Sequence, residues 1–343
     1  MIEIDKLVRK NVLAMKPYSS ARDEYKGDPG IFLDANENPF GSLNRYPDPR
    51  QNKLRMRLSL MKGIPIGNIF LGNGSDEIID LCFRIFCNPG SDRVIIFSPT
   101  YGMYEVAASM NDAGVIDVPL LPDFNIDIEN TLPLLTEVRN KLLFICSPNN
   151  PTGNCFKEED ILTIVENFHG IVIIDEAYID FTGRKSFSAQ ISRFPNLIVM
   201  QTFSKSMGLA SARVGIAYAS EDIIKYLFRM KPPYNISTLN QEAALTRLKD
   251  YSAVENEVLL IKAEREKLVS SLRVLEKVKR VYPSEANFLL VEVDDADKLY
   301  KELVNRRIIV RNRTSVVRNC LRITVGTPAE NETLIEAIKN ICA

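Results

Sequence analysis

The sequence predicts an α/β protein: a mostly parallel central sheet covered by helices, plus a smaller α+β unit. Three observations carry this. Short apolar runs recur through the middle of the chain, at 93–97, 115–118, 141–146, 171–175, 197–202 and 214–219. Most lack the period-two polar alternation of a half-exposed strand. They read as strands buried on both faces, hence mostly parallel and helix-covered. Helical stretches at 75–87, 99–111 and 157–167 lie between them. After about residue 235 the pattern changes.

Ser98-Pro99 reads as a helix start, with serine at the N-cap and proline in the first turn. The later region holds a long polar-rich helix, 252–279, then apolar runs at 288–291, 308–310 and 321–325, and a last helix from Pro328. The expected organisation is a large α/β domain over 33–235, a small α+β domain over 236–343, and an arm, 1–32, packing with the small domain. No repeat or low-complexity segment stands out.

Composition narrows the function classes. The chain has 343 residues, 45% hydrophobic and 25% charged, with net charge −1. That is an ordinary globular composition, long enough for two or more domains. Near-zero net charge disfavours a dedicated nucleic-acid or membrane-surface protein. No apolar stretch approaches the roughly 18 residues of a membrane span. Met1-Ile2-Glu3-Ile4-Asp5 does not read as a signal peptide. The six cysteines form no C-x-x-C pair and read as reduced core residues, so a cytoplasmic location is expected. The single histidine, His169, excludes a His-rich metal site, and no metal is expected.

Lys205, in Thr202-Phe203-Ser204-Lys205, follows the apolar run 197–202, and Arg213 comes eight residues later. Partial burial and a neighbouring cation both lower a lysine pKa. A neutral amine condenses with an aldehyde to give a Schiff base. The hydroxyls and Arg213 suit a phosphate on the same molecule, and pyridoxal phosphate is the candidate. A surface lysine in a polar loop is the plainer alternative.

Ile171-Val172-Ile173-Ile174-Asp175-Glu176 is a buried strand ending in acids, where ligands of such sheets bind. Asp175 reads as a metal-binding acid of a nucleotide hydrolase, as a carboxylate against a pyridine nitrogen, or as a capped strand end. The first needs G-x-x-x-x-G-K-[ST], and the sequence has no Gly-Lys dipeptide. Gly72-Asn73-Gly74-Ser75-Asp76-Glu77 opens a helix whose free N–H groups suit a phosphate, or is an ordinary glycine turn. Ser147-Pro148-Asn149-Asn150-Pro151-Thr152-Gly153 is a stiff loop aiming Asn150 at the same region. Tyr101 can stack on a flat ring. Arg306, Arg307, Arg311, Arg313, Arg318 and Arg322 form a run without acids, read as a nucleic-acid patch or as an anchor for a small anion. Arg322 stands apart because it interrupts an apolar strand.

Taken together, Gly-Asn-Gly-Ser-Asp-Glu, Pro-Thr-Tyr, Asn-Asn-Pro-Thr-Gly, Asp-Glu-Ala-Tyr, Ser-Lys and Arg-Val-Gly, in this order, resemble the fold type I pyridoxal-phosphate aminotransferases. Further marks run from Lys16-Pro17-Tyr18 through Asp34-Ala35-Asn36-Glu37-Asn38-Pro39 and Arg45-Tyr46-Pro47 to Leu321-Arg322-Ile323-Thr324-Val325-Gly326-Thr327. They are similar to the histidinol-phosphate aminotransferases, over nearly the whole chain. The resemblance implies that Lys205 holds the cofactor aldehyde and shuttles the substrate Cα proton. It implies that Asp175 pairs with the pyridine nitrogen, that Asn150 and Tyr178 bond the ring oxygen, and that Tyr101 stacks on the ring. Gly74, Ser75, Asp76, Thr202, Ser204 and Arg213 would surround the cofactor phosphate, with Tyr46 reaching it from the other subunit of a homodimer. Tyr18, Asn36, Asn150, Arg311 and Arg322 would bind substrate. The implied reaction interconverts L-histidinol phosphate and 2-oxoglutarate with 3-(imidazol-4-yl)-2-oxopropyl phosphate and L-glutamate, in histidine biosynthesis. A decarboxylase of an O-phospho amino acid and a broad aromatic aminotransferase are the alternatives within the scaffold. An ATPase or a nucleic-acid-binding protein is the disfavoured alternative from another class.

Overall fold

Seven strands build the main sheet. They are β1 (Ile69–Asn73), β2 (Arg93–Ile96), β3 (Gly114–Asp117), β4 (Asn140–Cys146), β5 (Ile171–Asp175), β6 (Leu197–Thr202) and β7 (Val214–Ala219). The structure is a computed structural model, and it describes residues 2–18, 21–25 and 30–342. The strand order is β1-β7-β6-β5-β4-β2-β3. Strands β2 to β6 pair in parallel, while β7 runs antiparallel to β6 and β1. The reversal has a consequence for the site. Carboxyl ends of β1, β4, β5 and β6 share one edge, and the amino end of β7 joins them there, with Val214 opposite Asn73 and Gly215 opposite Thr202.

Both faces of this sheet are buried, which explains the unbroken apolar runs. Successive β-strand side chains point to opposite faces. Val172 and Ile174 of β5 lie in one core cluster with Leu197 and Val199 of β6. Ile171 and Ile173 lie in the other with Ile198 and Met200. Truncating one of them, as in Ile173→Ala, removes a fully buried side chain and costs about 2–5 kcal/mol. Helices Ser75–Phe86 and Glu221–Met230 pack on the second face, and Glu158–Asn167 on the first.

The smaller unit has a four-stranded antiparallel sheet in the order β10-β11-β9-β8. Its strands are β8 (Val278–Val281), β9 (Phe288–Val293), β10 (Arg311–Asn312) and β11 (Cys320–Thr324). Helices Ala296–Asn305 and Pro328–Cys342 help close its core, with Leu289, Val291, Leu321 and Ile323 inside.

Several expectations change. The helix read at 99–111 is Met103–Met110. Ser98 does not cap it, because its Oγ donates to Asp117 Oδ2 (2.7 Å) on the neighbouring strand end. The helix read at 252–279 is Tyr251–Arg273, and the β-branched Val278 and Val281 pair with β9 instead. The run 308–310 is not a strand; β10 begins at Arg311. The described part of the arm packs elsewhere than with the smaller unit. Ile4, Val8 and Val12 are buried on the second face of the large sheet, and Tyr226 donates its hydroxyl to Asp5 (2.6 Å). The segment is not one helix: Ile4–Lys6 and Lys10–Ala14 are separate short turns, and both give apolar residues to that core. Ala244 and Leu248, beyond residue 235, also lie in the first core of the large sheet. Ser19 and Ser20 of the N-terminal motif lie outside the described residues.

Candidate active site

Where the strand ends converge, a cavity of about 230 Å³ opens. Asp175, the last residue of β5, is its buried acid. Tyr104 donates its hydroxyl to Asp175 Oδ2 (2.8 Å), and Ala177 donates its backbone N–H to Oδ1 (3.0 Å). Burial pushes the Asp175 carboxyl up, and those two hydrogen bonds pull it back. Lys205 follows β6 by three residues and lies over the Tyr178 ring, 5.6 Å from its centroid. Burial holds its ammonium below the ordinary lysine range. Arg322 adds to this, and Asp175 and Asp76 oppose it.

One end of the cavity is built to hold an anion. Ser75 opens helix Ser75–Phe86, where backbone N–H groups have no partner in the preceding turn. Gly74 has φ 78° and Arg213 has φ 50°, and the Gly74 N–H donates to the Arg213 carbonyl (2.8 Å). The two turns are locked together by a close approach. A Cβ at Gly215 would lie 2.5 Å from Ser75 N. Arg213 Nη2 pairs with Asp76 Oδ2 (3.1 Å), and Tyr101 donates to Asp76 Oδ1 (3.1 Å). Thr202 donates to Ser204 Oγ (3.0 Å) beside them.

The other end carries Asn150, Tyr178 and Arg322. Asn150 Nδ2 donates to the Tyr178 hydroxyl (3.4 Å). Arg322 crosses from β11, donates through Nη1 to Asn150 Oδ1 (2.6 Å), and lies over the Phe288 ring. The partner of this strand-borne charge is therefore an amide, not an acid. Arg311 sits opposite Arg322 in the β10–β11 register.

The structure brings Ser75, Asp76, Tyr101, Asn150 and Tyr178 around the cavity with Thr202, Ser204, Lys205, Arg213 and Arg322. It does not bring Tyr18, Asn36 or Tyr46 there within one chain. Tyr18 borders a separate concavity beside Arg50 and Phe228. Asn36 and Tyr46 line another cleft, where Tyr46 stacks on Tyr234 with centroids 4.4 Å apart. Glu37 anchors that segment. It accepts from Arg45, Arg22 and the Tyr46 N–H, which hold its carboxyl down to about 2.

Two features were missed by sequence reasoning. Tyr104 lies in the first turn of helix Met103–Met110, and Tyr101 lies just before that helix; their rings meet edge to face at 5.6 Å. In the sequence Glu176 reads only as a strand-end acid. It is fully enclosed, accepting from Ser186 Oγ (2.6 Å), the Phe187 N–H (2.7 Å) and Gln201 Nε2 (2.9 Å). Its carboxyl is pushed up to about 7 by burial.

The model of the family "Aminotransferase class I and II" matches residues 23–338. The histidinol-phosphate aminotransferase of Parabacteroides distasonis is 51% identical over 99% of both chains. That of Cytophaga hutchinsonii is 48% identical over 98% of both. Among solved structures, the histidinol-phosphate aminotransferase from Clostridium acetobutylicum superposes with a TM-score of 0.79, at 26% identity, covering 87% of this chain and 91% of that one. The chain belongs to the class I and II aminotransferases and, within them, to the histidinol-phosphate aminotransferases.

Proposed function

We propose that this chain is a pyridoxal-5'-phosphate-dependent transaminase. It interconverts L-histidinol phosphate and 2-oxoglutarate with 3-(imidazol-4-yl)-2-oxopropyl phosphate and L-glutamate, in histidine biosynthesis. The observation that carries this is the convergence of Asp175, Lys205 and Arg322 on one cavity with a phosphate cradle at its far end. The donor set fits the cofactor: one lysine amine, one buried carboxylate, an aromatic face, a ring-oxygen donor pair and an anion-binding helix start. Bound cofactor supplies an aldehyde for amine exchange and a protonated ring that draws off the electron pair when the Cα–H bond breaks.

The residues divide the work by chemistry. Asp175, ionised against a pyridinium N–H, keeps that ring protonated. Asn150 and Tyr178 would hold the ring oxygen, and Tyr101 would stack on the ring. The Ser75 and Asp76 N–H groups, the Thr202 and Ser204 hydroxyls and the Arg213 guanidinium hold the phosphate, with the Gly74 turn giving the backbone room. Lys205 Nζ, whose ammonium is held below the ordinary lysine range by burial and by Arg322, takes the proton from substrate Cα and returns it. Arg322 and Arg311 receive the anionic end, carboxylate or phosphate, which a guanidinium fork suits equally.

A homodimer is part of this reading. Ile31, Leu33 and Phe40 leave large apolar side chains exposed on the segment that carries Tyr46. A second copy against that segment would bring Tyr46, Asn36 and Tyr18 toward a neighbour's site. A cytoplasmic location fits a chain whose described cysteine side chains are all free and buried. No helix among the described residues is long and apolar enough to cross a membrane.

A half-reaction screen tests the function. Purified protein should show a visible cofactor band that borohydride removes. L-Histidinol phosphate and L-glutamate should each discharge it. Loss of CO2 from an O-phospho amino acid, or discharge by aromatic amino acids alone, would overturn the assignment.

A further inference from the structure

The loop that follows Arg311 carries a third arginine on the same face. Asn312 points to the helix layer of the smaller unit, since its Nδ2 donates to Asp297 Oδ1 in helix Ala296–Asn305. Its register partner, Leu321, is buried in that core. By strand alternation, Arg311 and Arg313 therefore point the opposite way, toward the face from which Arg322 enters the cavity. The ladder continues one residue past β10, because the Arg313 N–H donates to the Cys320 carbonyl (2.9 Å). Arg313 is thus the diagonal neighbour of Arg322, about 7–8 Å away between backbones, within reach of long side chains.

Among the described residues, this group lacks a full set of partners. Arg313 Nε is buried without a hydrogen-bond partner, and so is Oγ1 of the adjacent Thr314. None of Arg311, Arg313 and Arg322 forms an ion pair among the described residues. Glu292 shares the face, but its carboxylate accepts from the Tyr282 hydroxyl (3.2 Å). Buried polar atoms are nearly always paired, so an orphaned donor beside two further arginines points to an absent anion. Burial, Arg322 and Arg311 all depress the Arg313 guanidinium pKa, which agrees with a cation lacking its counter-charge.

We propose that Arg313, with Thr314 Oγ1, is a specificity-determining contact for the phosphate of the longer substrate. The inference rests on the transaminase reading above. The covalent geometry of the two substrates supports the assignment. In glutamate the carboxylate carbon is bonded directly to Cα. In histidinol phosphate the phosphorus lies two bonds farther out, past a methylene and an ester oxygen. With Arg322 as the inner anchor, the phosphate extends toward the outer arginines. Its extra charge and third terminal oxygen can use a second fork that a carboxylate does not reach.

The test compares half-reactions in the holoenzyme. Arg313→Gln should lower kcat/KM for L-histidinol phosphate about 10- to 100-fold, the size of one lost charge-assisted hydrogen bond, mainly through KM. The values for L-glutamate and for unphosphorylated L-histidinol should stay within about twofold, because neither presents a phosphate to Arg313. Arg313→Lys should fall between, keeping charge without the fork. Equal losses on all three donors would assign Arg313 a structural role, and no loss would make it a solvated arginine; either overturns the proposal. A second arm does not depend on the natural donor. Methyl phosphate should inhibit the glutamate half-reaction, and Arg313→Gln should weaken that inhibition but not inhibition by acetate. If wild type ignored L-histidinol phosphate, the functional reading would fall, while this arm would still decide Arg313.

Discussion

Arg322 Nη1 donates to Asn150 Oδ1 at 2.6 Å, joining a strand of the smaller sheet to the loop after β4 of the larger one. The same amide donates to the Tyr178 hydroxyl. On the proposed reading, one side chain thus positions both the substrate anchor and a ring-oxygen donor. Asn150→Ala should weaken both half-reactions, by about 10- to 100-fold in kcat/KM, since a hydrogen bond to a charged group is worth roughly 1.5–3 kcal/mol. Stopped-flow traces with glutamate and with histidinol phosphate check this. A loss confined to one donor would show that Asn150 does not couple the two groups.

Tyr104 should control the acid used against the ring. Its hydroxyl is a stabilising donor to the ionised Asp175 carboxylate, so Tyr104→Phe raises a carboxyl that burial already pushes up. Asp175 then stays protonated to higher pH, and the acid limb of the kcat/KM profile moves to higher pH. At neutral pH the rate should fall roughly tenfold, the cost of one bond to a charged acceptor. An unmoved acid limb would remove Tyr104 from this role.

Glu176 gives a pH dependence of stability with a fixed sign. Its carboxyl sits at about 7 in the fold against an ordinary 4.5, because burial disfavours the charge. Below about pH 4.5 it is protonated in both states and contributes no penalty. As pH rises toward 7, the unfolded chain releases the proton first, so stability falls; above 7 the penalty is complete, roughly 3 kcal/mol. Glu176→Gln cannot titrate. Urea midpoints at pH 5 and pH 8, at fixed cofactor, should show the variant gaining on wild type at the higher pH. A gain at the lower pH instead would reverse the argument.

Tyr46 should serve a neighbour's site. Within one chain it stacks on Tyr234 and does not line the Lys205 cavity. Lys205→Ala and Tyr46→Ala should each be crippled alone. In a hybrid dimer one site takes both lesions and the other keeps both residues. Random re-pairing of equal amounts makes half the dimers hybrid, so about a quarter of wild-type sites should return. Activity no higher than the mean of the two separate variants would place Tyr46 in its own subunit's site.

Much of the fold was legible because burial on both faces leaves an unmistakable trace. Runs such as 171–175 have no polar position to spare. What the trace lacks is direction. Val214–Ala219 is as apolar as its neighbours, yet it runs antiparallel, and only the pairing with Thr202 and Asn73 fixes this. β1 went unread because Gly72 and Asn73 break its short apolar run, and both are needed for the turn that follows. Site residues that carry unusual chemistry, Lys205 and Asp175 among them, stood out at strand ends. Tyr104 and Arg313 did not. A buried tyrosine looks like core until its hydroxyl's distant partner is known, and one arginine among six looks solvated until strand alternation aims it.

The phosphate cradle and Arg322 belong to different sheets. Gly74, Arg213, Lys205 and Asp175 all hang on adjacent strands of one sheet, and Gly215 presses two of those turns together at backbone distance. Arg322 hangs on the other sheet and meets the first through the Asn150 amide. Mild denaturant should therefore raise KM for the amine donors at concentrations that leave the visible cofactor band intact, and bleaching that came first would show that the two sheets do not separate the two grips.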